Sequence, residues 1–171
     1  MSWYVRNVRE LEWWDRGPRG SVASLVESDE DQVGANLFVL EPGQPMSMYH
    51  WEADQEDFLV LSGEALLIVD DEEHPLRQWD FFHCPAGTAH VLVGAGDGPA
   101  VVVAVGARGG RKGVVYEVAP AALELAAGVE RETTKSAEAY ARFPRSTRTR
   151  YRDGWFRAKG GTLSTPLPKP R

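Results

Sequence analysis

The 171-residue chain has one cysteine, four histidines and no long apolar run, and each shortage removes a class of explanation. Cys84 alone cannot close an internal disulfide, so a reducing cytoplasm is the expected setting. No apolar stretch approaches the ~20 residues needed to span a bilayer, and the start, Met1-Ser2-Trp3-Tyr4-Val5-Arg6, lacks the apolar centre of a secretion signal. Neither an internal repeat nor a helix-turn-helix pattern is present, which speaks against a two-barrel array and against a sensor with its own output domain. No nucleophile triad can be assembled. Arg108-Gly109-Gly110-Arg111-Lys112-Gly113 lacks the glycine spacing and the following Lys-Ser/Thr of a nucleotide cradle, so it reads as a flexible connection.

What is present suits one folded unit. An apolar content of 43% and a charged content of 26% are ordinary for a globular chain of a length that can bury a sizeable core. Three parts are expected: residues 1–35 as an aromatic-rich N-terminal extension with a strand from Ser21 to Glu27 and an acidic turn at Ser28–Asp31; residues 36–118 as a barrel core; and residues 119–171 as short helices and a basic tail. Within the core, short apolar segments alternate with Gly, Pro and Asp turns. Phe58–Leu61 reads as a buried strand, Ser62–Glu64 as a turn, Ala65–Val69 as the returning strand, and Asp70–Glu73 as a charged connection. Ala100–Val105 and Val114–Val118 read as strands, Pro120–Ala127 and Ser136–Phe143 as helices, the first ended by Gly128.

Charge is uneven. From Arg142 to Arg171 there are nine Lys or Arg against one acid, 9 − 1 = +8, which leaves 10 − 24 = −14 for residues 1–141. The tail is rich in Pro and Gly and should have little regular structure of its own. An acidic protein favours a tail that wraps its own barrel or a neighbouring subunit, with Tyr151, Trp155 and Phe156 as anchors, over an arm for nucleic acid. Trp13 and Trp14 are neighbours on a strand and cannot share a face, so aromatic packing is expected of one of them.

Two separated stretches carry the chemistry: His50-x-Glu52-x-x-x-Glu56 followed by Gly63, and Pro85-x-Gly87-x-x-His90. Residues i and i+2 of a strand share a face, so His50 and Glu52 look the same way, and an unbroken period would add Glu56. Pro85–Thr88 is a turn that delivers His90 on another strand. Two imidazoles and two carboxylates converging on a point form a usual site for a divalent transition metal. His83 and Cys84 alternate faces, so at most one of them points inward, and His74 before Pro75 reads as a solvated turn residue.

The two stretches resemble the paired motifs of the cupin superfamily, over about residues 36–106 with fifteen residues, 64–78, between them. Gly43, His50, Glu56 and Gly63 match the first motif, with Gly43 one residue further from His50 than usual; Pro85, Gly87 and His90 match the second. The resemblance implies a mostly β fold, a double-stranded β-helix or jelly-roll barrel with short C-terminal helices and an extended tail. Three positions depart from the pattern: Glu52 stands at the second histidine, Trp79 at the glycine before Asp80, and Gly94 where asparagine is usual. Glu52 changes the implied ligand set to two imidazoles and two carboxylates, a harder set suited to Fe, Mn or Zn. Alternatively, His50, Glu56 and His90 hold the metal and Glu52 is a general base.

Two functions remain open on this reading. One is a metal-dependent enzyme of oxygenase, isomerase or decarboxylase type acting on a small polar molecule. The other is a non-catalytic binding or sensing module. The missing output domain favours the enzyme. A homodimer is the expected assembly, with the aromatic lead and the basic tail as interface candidates.

Overall fold

The computed structural model describes residues 3–26, 32–108 and 113–156. The expected acidic turn at 28–31, most of the 108–113 connection and the last part of the basic tail lie outside these residues. Two antiparallel sheets face each other and enclose the core. The larger joins seven strands in the order β12 (Thr147–Thr149), β1 (Trp13–Asp15), β2 (Ser21–Ser24), β3 (Val33–Leu40), β10 (Ala100–Ala107), β5 (Glu56–Ser62) and β8 (Phe81–Cys84). The smaller joins β7 (Glu72–Arg77), β6 (Glu64–Val69) and β9 (His90–Ala95), and bridges at Pro45↔Val93 and His50↔His90 add the chain before β4 (Trp51–Glu52) to its far edge. A short pair, β4 with β11 (Val114–Val115), closes one end. This is the double-stranded β-helix.

The sheets meet because their strands alternate. Leu40, Phe58, Val60 and Val102 from the larger sheet pack against Leu67 and Leu92 from the smaller, all of them buried. Gly63 sits at the corner where the chain leaves one sheet for the other, with φ +75°, and a Cβ there would press into the Pro99 carbonyl. Ser62–Glu64 is therefore a corner between sheets and not the hairpin expected, since β5 pairs with β10 and β8 while β6 pairs with β7 and β9.

Other expectations shift in ways the backbone explains. Asp70 and Asp71 both have positive φ, 52° and 61°, and form a two-residue turn, so the charged connection shrinks to these two and Glu72 and Glu73 begin β7. His74 thereby sits on an edge strand opposite Leu67 instead of in a turn. The helices are short: α1 spans Pro120–Glu124 and α2 spans Ser136–Ala139. α1 ends early because Ala126 turns to φ +53° and its N–H, with that of Ala127, bonds back to Leu123 and Ala122. The 114–118 strand reduces to Val114–Val115 plus a bridge from Tyr116 to Thr133.

The extensions are built into the barrel. β2 pairs with β3, and Thr147–Thr149 of the basic tail forms β12 along β1, so this part of the tail does have regular structure. Trp13 is fully buried and packs against Trp155 with ring centroids 4.7 Å apart and planes tilted by 52°; its indole N–H donates to the Val8 carbonyl at 3.0 Å. Trp155 is buried, Tyr151 half-buried and Phe156 exposed. Among the described residues no helix is long and apolar enough to cross a membrane.

The departures from the family pattern have local accounts. Trp79 takes φ +77°, the left-handed conformation that favours glycine, and its N–H donates to the Val60 carbonyl at 2.8 Å. Gly94 is required, because a Cβ there would strike the Glu41 carbonyl.

Candidate metal centre

His50 and His90 are direct cross-strand partners. Each peptide group donates to the other, His50 N–H to His90 O at 3.2 Å and the reverse at 2.9 Å, so their side chains leave the same face and their rings lie 5.4 Å apart. Both are buried, His90 to within 1% of complete exclusion from solvent. Each ring is fixed through Nδ1. His50 Nδ1–H donates to the Met48 carbonyl at 2.7 Å, and His90 Nδ1–H to the Thr88 carbonyl at 3.0 Å. A backbone acceptor on Nδ1 leaves Nε2 as the lone-pair nitrogen, which is how metal-binding histidines are commonly oriented.

The two carboxylates meet these nitrogens. His50 Nε2 lies 3.3 Å from Glu52 Oε1, and His90 Nε2 lies 3.6 Å from Glu56 Oε2. One donor atom each from His50, Glu52 and Glu56 falls within 4.8 Å of the others, a group that could hold a metal ion. His90 joins it through Glu56. Its Nε2 and Glu56 Oε2 are both buried with no hydrogen-bond partner among the described residues. Buried polar atoms are normally satisfied, so two orphans facing one another mark a place for a third body.

Glu52 arrives as expected, two residues beyond His50 on β4. Glu56 does not. The strand stops at Glu52, the chain turns through residues 53–55, and Glu56 opens β5 in the other sheet, opposite Gly106 and Cys84. An unbroken period would have kept it in one sheet. The crossing instead puts the carboxylates on opposite walls.

The charge states follow from this crowding. Burial, then the charge of Glu52, pushes the Glu56 carboxyl up to about 7, with His50 partly offsetting them. Burial lowers His90 to about 4, helped by the nearby His50. Burial opposes protonation of His50, yet the hydrogen bond to Glu52 and the two carboxylate charges raise it overall. Glu52 is lowered, first by that hydrogen bond. A divalent cation relieves all of these strains together, so the residues present fit one.

Of the two residues before the second motif, Cys84 points inward and His83 outward. His83 Nδ1 lies 2.7 Å from Asp57 on the outer side. Cys84 Sγ lies 3.2 Å from His90 Nδ1, and its thiol is pushed up to about 12, by burial first and then by the Glu56 charge. It stays a neutral thiol behind the ring.

A cavity of about 320 Å³ opens over the four side chains. It exists because the facing inward positions are small: Gly34 and Gly106 stand level with Glu56, and Ala104 with Phe58. Tyr116 stacks on His50 with centroids 5.5 Å apart, and Tyr140 Oη accepts the Met48 N–H at 3.2 Å. Arg16 and Ser47 also line it. Sequence reasoning missed these four as cavity residues: Arg16 and Ser47 lie in irregular segments, and Tyr116 and Tyr140 lie in an expected strand and helix whose distant packing partners no local period reveals. The small residues Gly34, Ala104 and Gly106 were the available signal for a hollow.

Residues 36–106 match the sequence model of the cupin domain. No functionally curated protein matches the chain. Among solved structures, it is similar to a sugar phosphate isomerase of the cupin superfamily from Silicibacter pomeroyi, 26% identical over 82% of each chain with a TM-score of 0.52. A cupin 2 domain-containing protein from Halorhodospira halophila is 18% identical over 63% of this chain and 75% of that one, with a TM-score of 0.51. A protein from Acidithiobacillus ferrooxidans described as a candidate sugar phosphate isomerase is 25% identical, with a TM-score of 0.48; the match takes in 57% of this chain but only 65% of that protein's length. Over residues 36–106, under half of the chain, the sequence thus matches the cupin domain, and the two sheets there form a double-stranded β-helix.

Proposed function

We propose that the protein is a metal-dependent enzyme that isomerises a small hydroxy-carbonyl compound. The observation that carries the reading is the pair of buried, unpartnered atoms, His90 Nε2 and Glu56 Oε2, beside His50 Nε2 and Glu52. His50, Glu56 and His90 would hold the metal, with Glu52 closing the set. Two nitrogens and two carboxylates suit Fe(II), Mn(II) or Zn(II). A divalent ion bound there supplies Lewis acidity to a substrate oxygen.

The chain's own groups supply the rest. Glu52 has a side chain 43% exposed, against 22% for Glu56, and its lowered carboxyl is ionised at neutral pH. It can therefore take the proton from the hydroxyl-bearing carbon next to a carbonyl and deliver it to the former carbonyl carbon; the aldose–ketose interconversion is complete when the hydroxyl proton passes to the former carbonyl oxygen. Phe58 and Phe82 pack against the His90 ring and keep water from that side. The isomerase among the three reaction types is supported by the similarity to the Silicibacter pomeroyi protein.

Elemental analysis of protein purified without added metal, on wild type, His50→Ala and His90→Ala, tests the metal. Deuterium wash-in from D2O across a panel of aldoses and ketoses tests the reaction. Glu52→Gln separates its two roles: retained metal with lost turnover makes it the base, whereas lost metal makes it a ligand. We further propose a homodimer, and a monomer mass by light scattering would refute it.

A further inference from the structure

We propose that the cavity takes a substrate bearing an oxyanion, held by the guanidinium of Arg16 and the hydroxyl of Ser47. The inference rests on the metal-enzyme reading for what happens to that substrate, but its own support lies elsewhere. Arg16 belongs to the N-terminal extension, outside the 36–106 cupin match. It is 8% exposed and lines the same cavity as His50, Glu52, Glu56 and His90.

Its donors are incompletely used. Nη1 donates to the Met46 carbonyl at 2.9 Å and Nη2 to the Arg19 carbonyl at 2.5 Å, while the Nε–H is buried with no acceptor. A guanidinium has five N–H groups, so these two bonds leave three without a hydrogen-bond acceptor among the described residues. Ser47 Oγ, on the same cavity wall, is buried and unpartnered as well. Unsatisfied donors behind the wall of one cavity suit an acceptor-rich guest that a small turn of these side chains would meet.

Charge points the same way. Among the described residues neither Arg16 nor its neighbour Arg19 forms an ion pair; their guanidiniums rest instead on Phe38, at 4.9 Å, and on Tyr140 and Phe143, at 4.5 and 5.1 Å. Burial, then Arg19, lowers Arg16 to about 10, which still leaves it charged at neutral pH. A buried cation without a counter-charge is costly. The carboxylates of Glu52 and Glu56 do not supply one, because the two charges of a divalent ion bound at the site would offset theirs whether or not Glu52 is a ligand. The missing anion is then part of the ligand.

Register sets the reach. Phe38, under Arg16, stands level with Val60, whereas Asn36 is level with Phe58 and Gly34 with Glu56. Two to four residues along a strand are roughly 7–13 Å. An anionic group about five to ten bonds from the reacting carbon spans that interval.

Calorimetric titration of metal-loaded protein with inorganic phosphate and, separately, with acetate tests the site. At least one anion should bind wild type, and Arg16→Gln should weaken it tenfold or more at unchanged metal content. Binding of neither anion, or binding unaffected by Arg16→Gln, overturns the proposal. If Arg16→Gln does not fold, Ser47→Ala decides: weakening of threefold or more supports the site and an unchanged affinity overturns it. Metal content of each sample keeps the two readings apart. Metal-free wild type refutes the metal enzyme, whereas metal-loaded protein whose anion binding ignores Arg16 and Ser47 refutes only the oxyanion pocket.

Discussion

The two faces of β3 have opposite fates. On one, Leu37 and Val39 pack with Trp13, Ala23, Val101 and Trp155 into a dry cluster closed by both chain extensions. On the other, Gly34, Asn36 and Phe38 line the cavity over His50, Glu52, Glu56 and His90. Alternation along one strand makes both faces possible, but the side chains that meet each face decide what it becomes. Large aromatics fill the outer side. Small residues on β3 and β10 leave the inner side hollow, and polar groups converge on the space.

The N-terminal extension serves both faces. Trp13 is sealed into the outer cluster, and three residues on, past the end of β1, Arg16 enters the cavity wall. The family segment thus contributes the four acceptor groups, while cations reach the cavity from outside it: Arg16 from the extension and Arg108 from just past the end of β10.

This contrast can be broken from either side. The largest effect is expected on the inner face, where His90→Ala should reduce bound metal to less than about a tenth of wild type while the fold persists, since removing a ligand exceeds the 10–100-fold losses typical of its supporting partners. Circular dichroism beside elemental analysis would show whether metal falls without unfolding. On the outer face, Trp13→Ala should cost about 3–5 kcal/mol in chemical denaturation, with metal per folded chain unchanged. If Trp13→Ala empties the site in folded protein, the faces are not independent.

Acid should act on the inner face alone. Glu56, raised to about 7, and His50, raised above its ordinary value, must both be deprotonated to bind a cation, so metal affinity is full only well above pH 7. Below it, affinity falls by about tenfold per unit for each proton displaced, up to about a hundredfold per unit when both are protonated. His90, lowered to about 4, adds nothing to that fall until the pH is far lower. Affinity measured from pH 8 to 5.5 checks the slope, and affinity that is flat through this window contradicts the assignment of Glu56. The smallest effect is expected at Cys84. Its neutral thiol backs the His90 ring without serving as a ligand, so Cys84→Ser should keep its metal, and a loss comparable to His90→Ala would make the sulfur a ligand after all.

Much of this was legible in residue spacing. His50 and Glu52 could be placed on one face from the period of two, and the same rule allowed at most one of His83 and Cys84 to point inward without saying which; the structure turns Cys84 in and leaves His83 out. Glu56 was recovered for the wrong reason, because a strand that breaks at Glu52 and resumes in the opposite sheet leaves no mark on an i+6 spacing. The hairpin expected at Gly63 failed similarly: a glycine with positive φ turns a chain, but whether it returns to its own sheet or leaves for another depends on partners far away in sequence. Thr147–Thr149 was invisible as a strand because its partner, β1, supplies the edge that orders it. Arg16, Ser47, Tyr116 and Tyr140 reach the cavity only through tertiary placement, and no local pattern announces them.

The central claim is that His50, Glu52, Glu56 and His90 form one metal centre. It is met most directly by elemental analysis of wild type, His50→Ala and His90→Ala purified side by side without added metal. The account predicts about one divalent ion per folded wild-type chain and near-complete loss in both variants. Equal metal content in all three, or none in any, contradicts it.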